Sequence, residues 1–207
     1  MSLGSLGQAA GLESLVEMLR RRLGERRSVE ALALLLAAKR HAPIGRPRLS
    51  RILGFGDRKT RNLIRALHGL GLLVQTRAGV APSREATSSL EPVRIESLDG
   101  RTACSLPVAP ETARLYASRV VEARDRLAIL LGDPSALLLL GYCDGEAARA
   151  PGVPPGLLAG YLKERMGDLC GGGGRRVWGL FARGGCYLCC AAFIHVSMTF
   201  SRSTLGV

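Results

Sequence analysis

The chain has 207 residues and 47% of them are apolar, which excludes general disorder and allows two cores of about 100 residues each. Its net charge is +12, unevenly distributed: residues 1–90 contain 16 Lys and Arg against 6 Asp and Glu, and residues 91–207 contain 13 against 11. A basic excess in the first half predicts a polyanionic partner there and a different role for the second half.

No segment of the sequence is expected to enter a membrane or to direct secretion. The N-terminal MSLGSLGQAAGL lacks the charged region and the long apolar core of a signal peptide. The most apolar run, residues 186–200, contains His195 and is shorter than the roughly 20 residues of a spanning helix. We therefore expect a soluble, cytoplasmic protein without a membrane partner.

The first 56 residues predict three helices. Residues 1–11 are rich in Gly and Ser and are expected to fray. An apolar stripe at helical spacing follows, formed by Leu12, Leu15, Val16, Leu19 and Leu23. Ser28 is a suitable N-cap for a buried second helix through Ala31–Ala38, and a third short helix begins near Pro47.

Asp57–Gly71 predicts a fourth, amphipathic helix with Asp57 as its N-cap. On a 3.6-residue period one face holds Arg58, Arg61, Asn62 and Arg65, and the other holds Thr60, Leu63, Ile64 and Leu67. Guanidinium groups can pair with guanine edges and phosphates, and an Asn amide can pair with adenine. The alternative is an ordinary solvated charged face. Two strands, Leu72–Thr76 and Val80–Ala81, then form a hairpin around a turn at Ala78–Gly79.

Residues 28–84, with the string LSRILGFGDRKTRNLIRALHGLGLLV, resemble the winged helix-turn-helix family. The resemblance implies a fourth helix in the DNA major groove and a hairpin that acts as the wing. Base contacts are then expected from Arg58, Arg61, Asn62 and Arg65, and phosphate contacts from Lys59 or Thr60 and from Arg46, Arg48 and Arg51. Arg77 would lie on the wing, over the minor groove or the backbone. A homodimer on double-stranded DNA is also expected, because paired recognition helices add affinity and palindromic specificity.

The second half predicts a mixed α/β domain. Polar residues 85–100 suggest a linker. The predicted elements are a strand at Thr102–Val108, a helix from Pro110 to about Leu131, a strand at Ala136–Cys143 with a turn at Asp144–Gly145, a helix at Leu157–Leu169 ended by Gly171–Gly174, and a strand at Val177–Ala182. Cys186–Phe200 is compatible with a helix or a strand, and we favour the helix.

The predicted fold class is therefore α+β, with three regions. These are a winged helix-turn-helix domain with an extra N-terminal helix (1–84), a linker (85–100) and an α/β domain (101–207). The segment ALLLLGYCDGEAARAPGVP resembles archaeal two-domain winged-helix proteins whose second domain has no assigned role. For this domain we expect the sensing of a small-molecule effector, dimerisation, or both.

Six cysteines are present, and Cys186 and Cys189 have C-x-x-C spacing. A zinc site needs two further ligands, which no second motif supplies, and a disulfide is the other alternative. Buried free thiols are the favoured interpretation, because most of the cysteines lie in apolar runs. The glycines before Arg175 and Arg176 are predicted to follow a helix and precede a strand, the reverse of a phosphate-binding loop. We expect no metal, no cofactor and no catalytic residues.

The leading hypothesis is thus a sequence-specific DNA-binding transcriptional regulator. One alternative is an enzyme acting on a nucleotide or other metabolite, with the winged helix as an accessory; it requires a polar pocket in the second domain. The other alternative is an RNA-binding or protein-docking adaptor.

Overall fold

The computed structural model describes residues 3–144, 147–154, 170 and 175–200, which form a mixed α+β fold. The described helices are α1 (Leu3–Leu23), α2 (Glu25–His41), α3 (Arg46–Leu53), α4 (Asp57–Gly69), α5 (Arg84–Leu90), α6 (Pro110–Ser118), α7 (Val120–Leu131) and α8 (Tyr187–Phe200). The strands are β1 (Leu73–Thr76), β2 (Gly79–Pro82), β3 (Arg94–Leu98), β4 (Arg101–Pro107), β5 (Leu137–Asp144), β6 (Ala147–Arg149) and β7 (Arg176–Phe181). Within these ranges, no helix has both the length and the apolarity required to cross a membrane.

Helix α2 is the centre of the N-terminal half. It packs against α1, α3, α4, α5 and α8, and every residue from Ala31 to Ala38 is buried. The helix begins at Glu25, directly after Gly24, whose φ of 78° ends α1. The predicted N-cap role of Ser28 is therefore wrong: its hydroxyl lies inside the helix and donates to the Glu25 carbonyl at 2.6 Å. Helix α1 likewise starts at Leu3, before the predicted start near Leu12.

The β1–β2 hairpin is attached to the helices by a backbone bridge. The Ile44 N–H donates to the Val80 carbonyl at 3.0 Å, and the Val80 N–H donates to the Ile44 carbonyl at 2.9 Å. Gly79 makes this approach possible, because a Cβ at that position would lie 2.3 Å from the Ile44 oxygen. The hairpin was predicted closely, with the turn one residue earlier, at Arg77–Ala78.

The linker predicted for residues 85–100 is wrong, since this segment folds as α5 and β3. Ser83 caps α5 by accepting a hydrogen bond from the Ala86 N–H at 3.2 Å. Ala86 and Leu90, one helical turn apart, are both fully buried. The Lys39 ammonium donates to the Leu90 carbonyl at 2.9 Å, which fixes the end of α5 to α2.

The C-terminal half contains a five-stranded sheet of order β3-β4-β7-β5-β6 in which every neighbouring pair is antiparallel. The predicted strands coincide with β4, β5 and β7 within two residues at each end, and the helix favoured for residues 186–200 is confirmed. The single helix expected from Pro110 to Leu131 is instead two helices separated at Arg119, whose φ and ψ are −126° and 33°. The expected elements at 157–169 and 171–174, and the turn glycine Gly145, lie outside the described residues.

Alternate residues of the central strand β7 enter two apolar clusters. Val177 and Phe181 join the larger cluster with α6, α7 and α8, whereas Trp178 and Leu180 form the smaller one on the opposite face. The larger cluster extends without interruption into α1–α4, because α8 packs along α2. The two halves therefore share one core.

Candidate nucleic-acid interface

Helix α4 is amphipathic, as the sequence predicts, with a buried apolar face and an exposed basic face. Its inward face consists of Thr60, Leu63 and Leu67, each at most 1% exposed, and rests on α2 and α3. Its outward face exposes Arg58, Arg61, Asn62 and Arg65. The helix is set in this orientation by Gly54, which ends α3 in a left-handed conformation, and by the short turn to Gly56, the N-cap of α4.

Asp57 is not the N-cap but an ion-pairing residue between α3 and α4. Its Oδ1 lies 2.8 Å from Arg46 Nε, and its Oδ2 lies 2.8 Å from Arg61 Nη2. All three side chains are about half exposed, so water screens these pairs and each contributes up to about 1 kcal/mol. In this conformation two of the predicted DNA-contacting arginines are engaged by one carboxylate.

Two residues that were predicted to contact phosphate, Thr60 and Lys59, instead interact with other parts of the protein. Thr60 is fully buried and its hydroxyl donates to the Gly56 carbonyl at 3.2 Å, so its predicted contact with phosphate is wrong. The Lys59 ammonium lies 2.7 Å from Glu30 Oε1 and 4.3 Å from the centre of the Phe55 ring. Lys59 therefore joins α4 to α2 through its ion pair with Glu30, although its side chain remains partly exposed.

The remaining predicted residues are exposed cations. Within the described residues, no ion pair involves Arg48, Arg51, Arg58, Arg65 or Arg77. Arg48 and Arg51 are on α3, and Arg77 is at the turn of the hairpin. The structure thus presents basic side chains from three consecutive elements. We call Arg58, Arg61, Asn62, Arg65, Arg46, Arg48, Arg51 and Arg77 together the basic surface.

An open cleft of about 520 Å³ borders the basic surface between the starts of α2 and α4. It is lined by Arg27, Glu30, Gly56, Arg58, Lys59, Asn62 and Leu63. Arg27 was not among the residues that the sequence predicted for this surface. A signal was present, because the basic pair Arg26–Arg27 follows Gly24, and such a pair at the start of a helix is expected to be exposed. The Arg27 side chain extends the positive charge from α4 onto α2.

Four of the six cysteines form disulfides, whereas the sequence analysis favoured buried free thiols. Cys143 and Cys170 form one disulfide, and Cys186 and Cys189 form another. Only Cys104 and Cys190 are the buried free thiols that were predicted. Among the described residues, no group of three or more His, Cys, Asp or Glu side chains is arranged to hold a metal ion.

Comparison with known proteins supports the fold alone. No protein-family model matches the chain, and no curated protein matches it. A solved structure, a hypothetical protein from Pyrococcus horikoshii OT3, is similar with a TM-score of 0.56 at 18% sequence identity. The match covers 87% of this chain and 95% of that protein, so the similarity includes both the helical half and the sheet.

Proposed function

We propose that this chain is a winged helix-turn-helix transcriptional regulator that binds double-stranded DNA through α4. The main supporting observation is the exposed row Arg58, Arg61, Asn62 and Arg65, opposite a fully buried apolar face. A B-DNA major groove, about 12 Å wide, accepts a helix, and its base edges suit these side chains. The arginines would pair with guanine, and Asn62 with adenine.

Phosphate contacts would come from the elements that flank α4. Arg48 and Arg51 on α3 and Arg77 on the hairpin turn are exposed on either side of it, and Arg27 extends the surface at the cleft. Each phosphate neutralised by such a side chain releases counterions, so binding should weaken steeply as salt increases. Lys59 has a supporting role, because its ion pair with Glu30 fixes the start of α4 to α2.

The sheet-containing half completes the proposal as a dimerisation or effector-binding region. In a homodimer on a palindrome, the two α4 helices would lie about 34 Å apart, one turn of DNA. Such a regulator would act in the cytoplasm on chromosomal DNA.

The test compares two double variants that lose the same charge. Arg61→Ala with Arg65→Ala removes two side chains of the α4 row, and Arg114→Ala with Arg124→Ala removes two exposed arginines from the helices of the other half. Genomic DNA that co-purifies with the protein is sequenced to obtain a binding site. Binding of each variant to that site is then measured by gel shift over a range of salt concentrations.

We expect the α4 variant to lose at least about 30-fold in affinity, because each good base contact contributes about 1–3 kcal/mol. The control should remain near the wild type. An unchanged affinity of the α4 variant, or an equal loss in both variants, would contradict the proposal. Stronger retention of duplex RNA than of duplex DNA at physiological salt would replace it with the RNA-binding alternative.

A further inference from the structure

The start of α8 contains a disulfide that the proposed DNA binding does not use. Cys186 directly precedes the helix and is bonded to Cys189 in its first turn, with the two Cα atoms 5.2 Å apart. The Cys189 N–H also donates to Cys186 Sγ at 3.2 Å. The pair therefore closes a four-residue ring, Cys-Tyr-Leu-Cys, at the N-terminal end of a 14-residue helix.

The two cysteines of this ring differ in their exposure to solvent. Cys186 is partly exposed and follows the exposed loop Ala182–Gly185, whereas Cys189 is 2% exposed. Thiol–disulfide exchange requires a thiolate to approach one sulfur directly. The structure permits this approach at Cys186. By contrast, Cys143 and Cys170 are each 1% exposed, so their disulfide is closed to an incoming thiol.

The surroundings of Cys186 also favour the negative charge that this sulfur carries as a thiolate once the disulfide has been fully reduced. A thiolate at a helix N-terminus is stabilised by the backbone N–H groups and by the positive end of the helix dipole. The Cys189 N–H already points at Cys186 Sγ, at 3.2 Å. Burial raises the pKa of the neighbouring Cys190 thiol, which keeps it protonated and unreactive.

We propose that Cys186–Cys189 is a thiol–disulfide exchange site whose co-reactant is a dithiol reductant. A thiolate of the reductant attacks Cys186 Sγ, a mixed disulfide forms, and Cys189 leaves as a thiolate that takes up a proton. The second thiol of the reductant then loses its proton and attacks the reductant's first sulfur, which is bonded to Cys186 in the mixed disulfide. This attack releases Cys186 as a thiolate. Two electrons pass to the protein, and the reductant ends as an internal disulfide.

The site lies at a junction between the two halves of the molecule. The Cys186 N–H donates to Thr102 Oγ1 at 3.0 Å, and Thr102 donates in turn to the Arg183 carbonyl at 2.7 Å, so β4 holds one side of the ring. On the other side, the Tyr187 hydroxyl is hydrogen-bonded to His41 Nε2 at 2.8 Å, at the end of α2. Reduction therefore opens the ring at the start of α8, beside the hydrogen bond that joins Tyr187 to the end of α2.

The first experiment uses the oxidised full chain and dithiothreitol as the dithiol. Samples are quenched with an alkylating reagent at increasing times, and labelled peptides are quantified by mass spectrometry while circular dichroism monitors folding. We expect Cys186 and Cys189 to be labelled at least tenfold faster than Cys143 and Cys170, with the helical signal retained. Equal rates for the two disulfides, or labelling only as the helical signal is lost, would overturn the proposal.

A matched pair of variants tests which sulfur reacts. Cys189→Ser leaves Cys186 as the single thiol of the ring, and Cys186→Ser leaves the buried Cys189. With oxidised glutathione, we expect Cys189→Ser to form a mixed disulfide at least tenfold faster than Cys186→Ser. Similar rates would show that Cys186 is not the attacked sulfur. Neither experiment involves DNA, so its result is independent of the proposed DNA binding.

Discussion

Asp57 is an acidic residue placed where a DNA-binding surface would be expected to be purely basic. Its carboxylate pairs with Arg46 from α3 and with Arg61 from α4, both at 2.8 Å. On DNA, these two guanidinium groups would have to exchange the carboxylate for phosphate or base atoms. If the chain binds DNA as proposed, Asp57 would oppose that binding in two ways, by its own charge and by competing for Arg46 and Arg61.

The variant Asp57→Asn should bind DNA more tightly than the wild type, by about fivefold at low salt, which corresponds to about 1 kcal/mol. The physical reason is that Arg46 and Arg61 no longer have to leave a carboxylate, and that one negative charge is removed from the interface. Fluorescence anisotropy with a labelled duplex, measured at two salt concentrations, checks this expectation.

The control for this variant is Glu111→Gln, which neutralises an exposed acid in the first turn of α6, in the other half of the chain. It should leave the affinity unchanged. Weaker binding by Asp57→Asn would mean that the carboxylate orients Arg61 for binding instead of competing for it.

For single helices and strands, the local spacing of apolar and charged residues was sufficient to predict the element where its own residues determine its conformation. The stripe of α4, with arginines on one face and Leu63 and Leu67 on the other, predicted both its helical state and its exposed face. The apolar run of α8 was also correctly interpreted as a helix. Ser28 was misassigned as a cap, because Gly24 permits α2 to start one turn earlier.

What the sequence did not show depends on contacts between distant segments. The order β3-β4-β7-β5-β6 pairs strands that are far apart in the chain. In the candidate site, Lys59 was expected to contact phosphate, but it is engaged by Glu30, 29 residues away. Nothing in the local sequence around Lys59 indicates that the start of α2 lies next to it.

The β1–β2 hairpin provides a prediction at this scale, since Gly79 fixes its position on the helices. Gly79 has a φ of 141°, and an added Cβ would lie 2.3 Å from the Ile44 oxygen. Gly79→Ala should therefore lower the free energy of unfolding by about 2–3 kcal/mol, through backbone strain and loss of the bridge. Urea denaturation monitored by circular dichroism measures this change.

The matched control is Gly69→Ala at the end of α4, where an added Cβ has no atom within 4 Å. Because alanine favours the helical conformation, this variant should gain up to about 1 kcal/mol. If the two alanine variants have the same stability, the close approach at Gly79 does not constrain the hairpin.

For the whole molecule, the contact between α8 and α2 is the main connection, and His195 lies within it. The imidazole is 1% exposed, its Nδ1 lies 3.4 Å from Ser28 Oγ, and its buried Nε2 has no hydrogen-bond partner in the described structure. Glu25 Oε1 is 3.6 Å from Nε2, but that side chain is largely exposed. Burial lowers the pKa of His195 despite the opposing effect of Glu25.

The stability of the protein should consequently decrease as the pH falls from about 7 to 5. In this range the unfolded chain, with a histidine pKa near 6.5, binds more protons than the folded one, so titration of the buried His195 lowers the free energy of unfolding by up to about 1.4 kcal/mol per pH unit. His41, whose pKa is also lowered by burial and by Arg48 and Arg40, contributes in the same direction. Urea midpoints measured between pH 5 and 7.5 give the slope.

His195→Gln should reduce this slope without removing it, because His41 remains. The comparison is with His68→Gln, which removes an exposed histidine of α4 and leaves the contact between α8 and α2 intact. The same slope in His195→Gln and in the wild type would contradict the assignment of the pH dependence to His195.

The position of α8 on α2 also constrains how such a protein can evolve. Every residue from Ala31 to Ala38 of α2 is buried, and part of this helix is covered by α8, a helix far away in the sequence. A gene segment that encoded only the helices and the hairpin would leave that apolar part facing water, at a cost of about 25 cal/mol for each Å² exposed. We therefore expect the helical half to be less stable without α8, and a substitution that changes side-chain volume at this contact in α2 to require a compensating change in α8.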